Sequence, residues 1–113
     1  MILYGISNCD TIKKARKWLD ANDIEYQFHD YRKNGLDTKL LKRWAKELDW
    51  ESLLNRRGTT WRKIPEAERE AINEKNAITL MLKHPAMIKR PLLDTGNTRV
   101  VGFKEEEYSE LFL

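Results

Sequence analysis

Apolar residues change their spacing several times along the chain, and each change predicts an element. Met1-Ile2-Leu3-Tyr4-Gly5-Ile6 is a short β-inclined run. Ser7-Asn8-Cys9-Asp10 then supplies turn and N-capping chemistry before Ile12, Ala15 and Leu19 recur at helical spacing, which predicts a strand, a tight loop and a helix. Asn22-Asp23 should stop that helix. Glu25-Tyr26-Gln27-Phe28-His29 alternates with period two and reads as a second strand, and a helix between two strands predicts a right-handed βαβ unit with parallel strands. Tyr31 to Gly35 reads as a polar connection. Asp37 or Thr38 is placed to cap an amphipathic helix carrying Leu40, Leu41, Trp44, Ala45 and Leu48 on one face.

Leu53 to Lys63 keeps no period and concentrates four cations around Gly58, so short helical pieces and loop are expected there. Pro65 fits the first turn of a helix over 67–72, and a further helix over 77–82 should close at His84-Pro85. Ala86 to Leu93 is β-like. Asp94-Thr95-Gly96-Asn97 is a hairpin loop leading into Thr98 to Phe103, which makes the last two strands antiparallel. Lys104 to Leu113 reads as an amphipathic helix anchored by Tyr108, Leu111 and Phe112. The order β-α-β, several helices, β-β-α predicts an α/β protein with α+β segregation. The expectation is a thioredoxin-like fold, with a mixed sheet covered by helices and a helical insertion at about 37–85 within a single domain spanning 1–113.

Composition narrows the function classes. The chain has 113 residues, of which 41% are hydrophobic, which suits one domain. Its 21 Lys and Arg against 18 Asp and Glu leave only +3, and Lys and Glu interleave in a way that should break up any continuous basic stripe. A sequence pI near 9 and tryptophans among basic residues raise nucleic-acid binding, but Trp44 shares a face with Leu40, Leu41 and Leu48 and is explained by packing. No nucleic-acid partner is expected. No run approaches a membrane span, and polar Ser7-Asn8 interrupts the N-terminal apolar run before a signal core can form, so no membrane partner is expected either. The chain is expected to act as a monomer. Glu105-Glu106-Glu107 opens the last helix, where negative charge complements the dipole. His29 and His84 have no ligand-spaced companions, so no metal is expected.

Cys9 is the single cysteine, which excludes an internal disulfide and suits a reducing compartment, the cytoplasm. Its place is more informative than its presence: it falls between the first strand and the N-terminus of the first helix, where backbone N–H groups and the helix dipole favour the thiolate. A thiolate so placed is a candidate nucleophile. Ile12 stands where a Cys-x-x-Cys pair would have its second sulfur, so any mixed disulfide must be resolved by an external thiol. Glutathione, directly or through a glutaredoxin, is the simplest donor. It would be a co-substrate, with no bound cofactor. Arg57, beside Gly58, and Arg90, before Pro91, are the leading candidates to hold negative charge, because a guanidinium offers a planar donor fork.

Ser7-Asn8-Cys9-Asp10-Thr11, Asn55 to Lys63 and Ile88-Lys89-Arg90-Pro91-Leu92 together resemble the arsenate reductase/Spx family, especially its YffB-like branch, and so does Val101-Gly102-Phe103-Lys104. The resemblance covers nearly the whole chain. It implies a thioredoxin-like fold with a helical insertion, Cys9 as nucleophile, and Arg57, Arg90 and alternatively Arg56 as ligands for an oxyanion or a glutathione adduct. Asn8, Thr11 and Pro91 would support the loop and the turn, with a cis bond at Arg90-Pro91.

The departures select within the family. Glutaredoxin-coupled arsenate reductases carry a His-Asn-Pro-x-Cys loop, whereas Gly5-Ile6-Ser7-Asn8-Cys9 lacks the histidine, and their late third arginine falls near Gly102 or Phe103 here. Ile12 removes the Cys-x-x-Cys switch usual in Spx-type regulators, which bind RNA polymerase. A glutathione-dependent thiol reductase fits best. The alternatives are an Spx-like protein-binding or redox-sensing module without turnover, and a weak arsenate reductase.

Overall fold

The computed structural model describes residues 1–113, and the chain divides into two compact units. One comprises Met1–Asn34 and Arg90–Leu113, and the other Gly35–Lys89.

The first unit is built on a four-stranded mixed sheet of order β2-β1-β3-β4, with β1 at Ile2–Gly5, β2 at Gln27–Asp30, β3 at Leu92–Asp94 and β4 at Arg99–Val101. β1 pairs parallel with β2 and antiparallel with β3, and β3 pairs antiparallel with β4. The parallel pair flanks helix α1 (Asp10–Ala21), so the βαβ pattern read from the sequence is realised. Asn22 ends α1, and Asp23 follows in the left-handed region at φ 56°, a conformation that Asp tolerates better than a branched residue.

Helix α1 buries Ile12, Ala15 and Leu19, and the last two join Leu3, Leu93 and Tyr108 in the core of this unit. Tyr108 comes from the terminal helix, α8 (Glu105–Phe112). Its ring meets Trp18, Phe103 and Phe112 edge-on, at centroid distances of 5.6, 4.8 and 6.2 Å. Leu111 is exposed, so Tyr108 and the partly buried Phe112 anchor α8 without it. Within Tyr31 to Gly35, read from the sequence as a polar connection, Tyr31–Asn34 forms a single helical turn, α2, because Asp30 accepts the Arg32 N–H at 2.8 Å and caps it.

The second unit is helical: α3 (Thr38–Leu48), α4 (Trp50–Leu53), α5 (Thr59–Arg62), α6 (Glu66–Glu70) and α7 (Glu74–Lys83). Asp37 caps α3 by accepting the Lys39 N–H at 3.1 Å. Leu41, Trp44 and Ala45 are buried, and α3 packs with α4 and α7. Leu40 and Leu48, placed on the same stripe by spacing, are only partly covered. Pro65 is the N-cap of α6 and not its first residue.

Ala86 to Leu93 does not form one strand. Pro85–Met87 is a 3-10 turn that closes with the Met87 N–H donating to the His84 carbonyl, and Ile88 makes an isolated bridge to Leu54. A proline at the start of such a turn fixes its φ and has no N–H to contribute to a ladder. The interleaving of Lys and Glu does not break up the basic stripe on α3, where Lys39, Lys42, Arg43 and Lys46 fall on one exposed face.

Candidate functional site

Cys9 is the N-cap of α1, with φ −142° and ψ 128°. The backbone stays extended through Cys9 and turns helical at Asp10, so the sulfur stands at the positive end of a 12-residue helix. It is a free thiol of intermediate exposure. Burial pushes the thiol up, but the Ile12 N–H, the Arg90 guanidinium and the Thr11 N–H together outweigh it and hold Cys9 below its ordinary value. The sulfur makes no close capping hydrogen bond. The Ile12 and Thr11 N–H groups therefore act across a longer approach, as the dipole of the helix end would.

Arg90 is carried to Cys9 by the chain immediately before β3. Its guanidinium favours the sulfur anion both as a hydrogen-bond donor directed at it and as a nearby positive charge. The Arg90-Pro91 bond is cis, and Pro91 is buried. Asn8 is exposed in the loop before Cys9, and Thr11 lies in the first turn of α1. Cys9, Thr11, Arg90 and Pro91 thus come together within the sheet unit, from segments some 80 residues apart in sequence.

Arg56 and Arg57 lie in the helical unit, on the loop between α4 and α5. The Arg57 N–H donates to Oδ1 of Asn55 at 3.1 Å, which folds an Asx-type turn and leaves the side chain exposed. Arg56 lies over the Trp61 ring at 5.8 Å from its centroid and pairs with Glu51 at 3.8 Å, so its guanidinium already has an aromatic and an ionic neighbour. A Cβ on Gly58 would stand 3.1 Å from the Asn55 amide nitrogen. The glycine therefore gives room to the Asx turn that orients Arg57.

Two residues at the end of β2 were not singled out by sequence reasoning. Asp30 is buried, and its carboxylate accepts the Ser7 N–H at 3.2 Å as well as the Arg32 N–H. Burial pushes Asp30 up, yet the N–H of Arg32, the hydroxyl and N–H of Ser7 and the N–H of Lys33 bring it below the usual carboxylate range. Tyr31 is buried with no hydrogen-bonding partner for its hydroxyl. Burial, aided by Tyr4 and opposed by the charge of Arg90, pushes its phenol far up, so it stays protonated. The one available signal was a carboxylate closing an alternating strand, since an acid at a buried strand end needs donors nearby.

The His29 ring packs at a tilt of 47° against that of Tyr4, with centroids 4.9 Å apart, which gives it a packing role. No group of three His, Cys, Asp or Glu side chains is arranged to hold a metal ion.

A family model described as the ArsC family matches residues 4–111. The solved structure of a YFFB protein is 49% identical, covers 99% of this chain and 98% of its own, and superposes with a TM-score of 0.94. An arsenate reductase (ArsC) related protein from Brucella melitensis is 50% identical over 98% of this chain and 92% of its own, with a TM-score of 0.81. Among curated relatives, the global transcriptional regulator Spx of Streptococcus mutans is 26% identical over 93% of this chain and 77% of its own. The thioredoxin-like architecture of a mixed sheet with helices, expected from the order of elements, is the fold of these structures.

Proposed function

This chain belongs to the ArsC family, and from that premise we propose that it is a thiol reductase using Cys9 as its nucleophile and glutathione as its external resolving thiol. The observation that carries the proposal is the pairing of the Cys9 sulfur with the Arg90 guanidinium at the start of α1. The helix end and the guanidinium favour the thiolate over the thiol, and only the thiolate attacks a disulfide sulfur.

The chemistry balances as two exchanges. The Cys9 thiolate attacks one sulfur of a disulfide R–S–S–R′, forming Cys9–S–S–R and expelling R′–S⁻. A glutathione thiolate then attacks the R sulfur, forming a glutathione–R disulfide and returning Cys9 as the thiolate. A second glutathione releases R–SH and carries away the oxidising equivalents as glutathione disulfide, either directly or through a glutaredoxin. Arg90 stabilises the sulfur anion before attack and again when it is the leaving group. Arg57, with Arg56 one residue away, is proposed for the anionic groups of the substrate or of glutathione on the strength of its motif. Thr11 holds the helix end, and Asn8 and Pro91 support the loop and the turn. Use of glutathione, like the single free thiol, suits a reducing compartment, the cytoplasm.

The test is a glutathione-coupled assay with 2-hydroxyethyl disulfide as substrate and glutathione reductase with NADPH as readout. Wild type should turn over, and Cys9→Ser should fall to the uncatalysed rate. Full activity in Cys9→Ser would overturn the nucleophile assignment.

A second reading is favoured by the likeness to Spx regulators: a protein-binding or redox-sensing module without turnover. An ordinary Cys9 pKa, together with no turnover on any small disulfide, would favour it. Arsenate offered in the same coupled assay tests the weak arsenate reductase reading directly.

A further inference from the structure

The helical unit carries 12 Lys and Arg against 8 Asp and Glu, while the sheet unit carries 9 against 10, so the positive charge of the chain is concentrated in the insertion. It is concentrated further on one helix face. Lys39, Lys42, Arg43 and Lys46 stand at i, i+3, i+4 and i+7 of α3, all exposed, opposite the face that buries Leu41, Trp44 and Ala45. Lys39 with Arg43 and Lys42 with Lys46 are like-charge pairs one turn apart, an arrangement that destabilises a helix considered alone. Lys75 of α7 adds a fifth cation, opposed by Glu74 and by Glu47 one turn beyond Arg43.

These cations rim a groove of about 570 Å³ between α3 and α7. Its floor is Ile78 and the aliphatic stems of the lysines, so a ligand there meets hydrocarbon below and ammonium groups along the rim. We propose that the α3/α7 groove is a docking surface for an acidic amphipathic helix of a protein partner, with apolar side chains on the floor and carboxylates against the rim. The lining on α3 runs from Lys39 to Lys46, about 12 Å of helix, room for about two turns of such a helix. A nucleic acid fits less well, because the lining offers no aromatic ring for a base to stack on.

Fluorescence anisotropy tests the proposal on the full chain. The probe is a fluorescein-labelled peptide of about 15 residues with Leu on one helical face and Glu elsewhere. Saturable binding that weakens with salt is expected, falling at least about tenfold in Lys42→Glu/Arg43→Glu and unchanged in the matched reversal Lys13→Glu/Lys17→Glu on α1. A second peptide with Ser in place of Leu should bind more weakly at equal charge. All four altered positions are exposed, and Lys42→Gln/Arg43→Gln serves if the reversal alters the circular dichroism. Absence of binding by wild type at low salt would overturn the proposal. So would equal loss in the α1 variant, equal binding of the Ser peptide, or binding of a short random DNA duplex as tight as that of the Leu-Glu peptide.

Discussion

The Asp30 carboxylate accepts the Ser7 backbone N–H at 3.2 Å, tying the end of β2 to the loop that delivers Cys9 two residues later. The same carboxylate caps α2 through Arg32 N–H at 2.8 Å, so one buried acid fixes two segments at the carboxyl ends of the parallel strands. Asp30→Asn keeps the shape but weakens every charge-assisted bond. It should lower stability by about 1–3 kcal/mol, measured as a reduced urea midpoint. The pH dependence has a defined sign. Asp30 lies below the carboxylate range in the folded chain, so its contribution is complete above the unfolded value near 3.9 and is lost as pH falls through the lowered folded value. The gap in stability between wild type and Asp30→Asn should therefore narrow on acidification.

Alkylation of Cys9 by iodoacetamide reports its thiolate directly. The rate should rise with pH through a midpoint below the ordinary value of a cysteine thiol, because Ile12, Arg90 and Thr11 outweigh burial. Arg90→Ala removes a donor and a charge and should move the midpoint up, while Arg90→Lys should retain part of the effect. A midpoint unchanged in Arg90→Ala would mean that the helix end alone sets the thiolate. Since the folded value is depressed, wild type should also gain stability relative to Cys9→Ser as pH rises from the folded towards the unfolded value.

Much of this was legible from spacing. Ile12, Ala15 and Leu19 gave α1 its buried face, Asp37 its cap to α3, and Cys9 its place at a helix start. Proximity between Cys9 and Arg90 rested on the family resemblance, because no local pattern encodes a contact made across a sheet. Asp30 was passed over for a related reason: at a strand end an acid ordinarily faces water, and only the donors of Ser7, Arg32 and Lys33 make burial tolerable. Ala86–Leu93 misled because Pro85 sets a 3-10 turn in a stretch whose composition is β-like.

Tyr108 separates packing from polarity. Its ring is fully buried among Trp18, Phe103 and Phe112, but its hydroxyl is buried without a hydrogen-bonding partner. Tyr108→Phe keeps the ring and removes the unpartnered group, so it should be neutral or stabilising, whereas Tyr108→Ala should destabilise by about 3–5 kcal/mol. Thermal or urea unfolding of the two variants distinguishes them. A large loss in Tyr108→Phe would show that the hydroxyl is bonded in solution.

Gly5 is opposite Asp30 in the β1/β2 register and lies beneath the first turn of α1. A Cβ there would clash with Cδ1 of Ile12 and stand 3.0 Å from its Cγ1, and Ile12 supplies one of the N–H groups that favour the Cys9 thiolate. Gly5→Ala should therefore do two things at once: destabilise by about 1–3 kcal/mol through overpacking, and raise the Cys9 alkylation midpoint as the helix start is pushed away. Ile12→Ala alone leaves a cavity and should also destabilise. The double variant Gly5→Ala/Ile12→Ala puts the new methyl into the space vacated, so its loss should be smaller than the sum of the two, and the midpoint should return towards wild type. If the losses simply add and the midpoint stays raised, the close approach of Gly5 to Ile12 is not what positions the helix start against the sulfur.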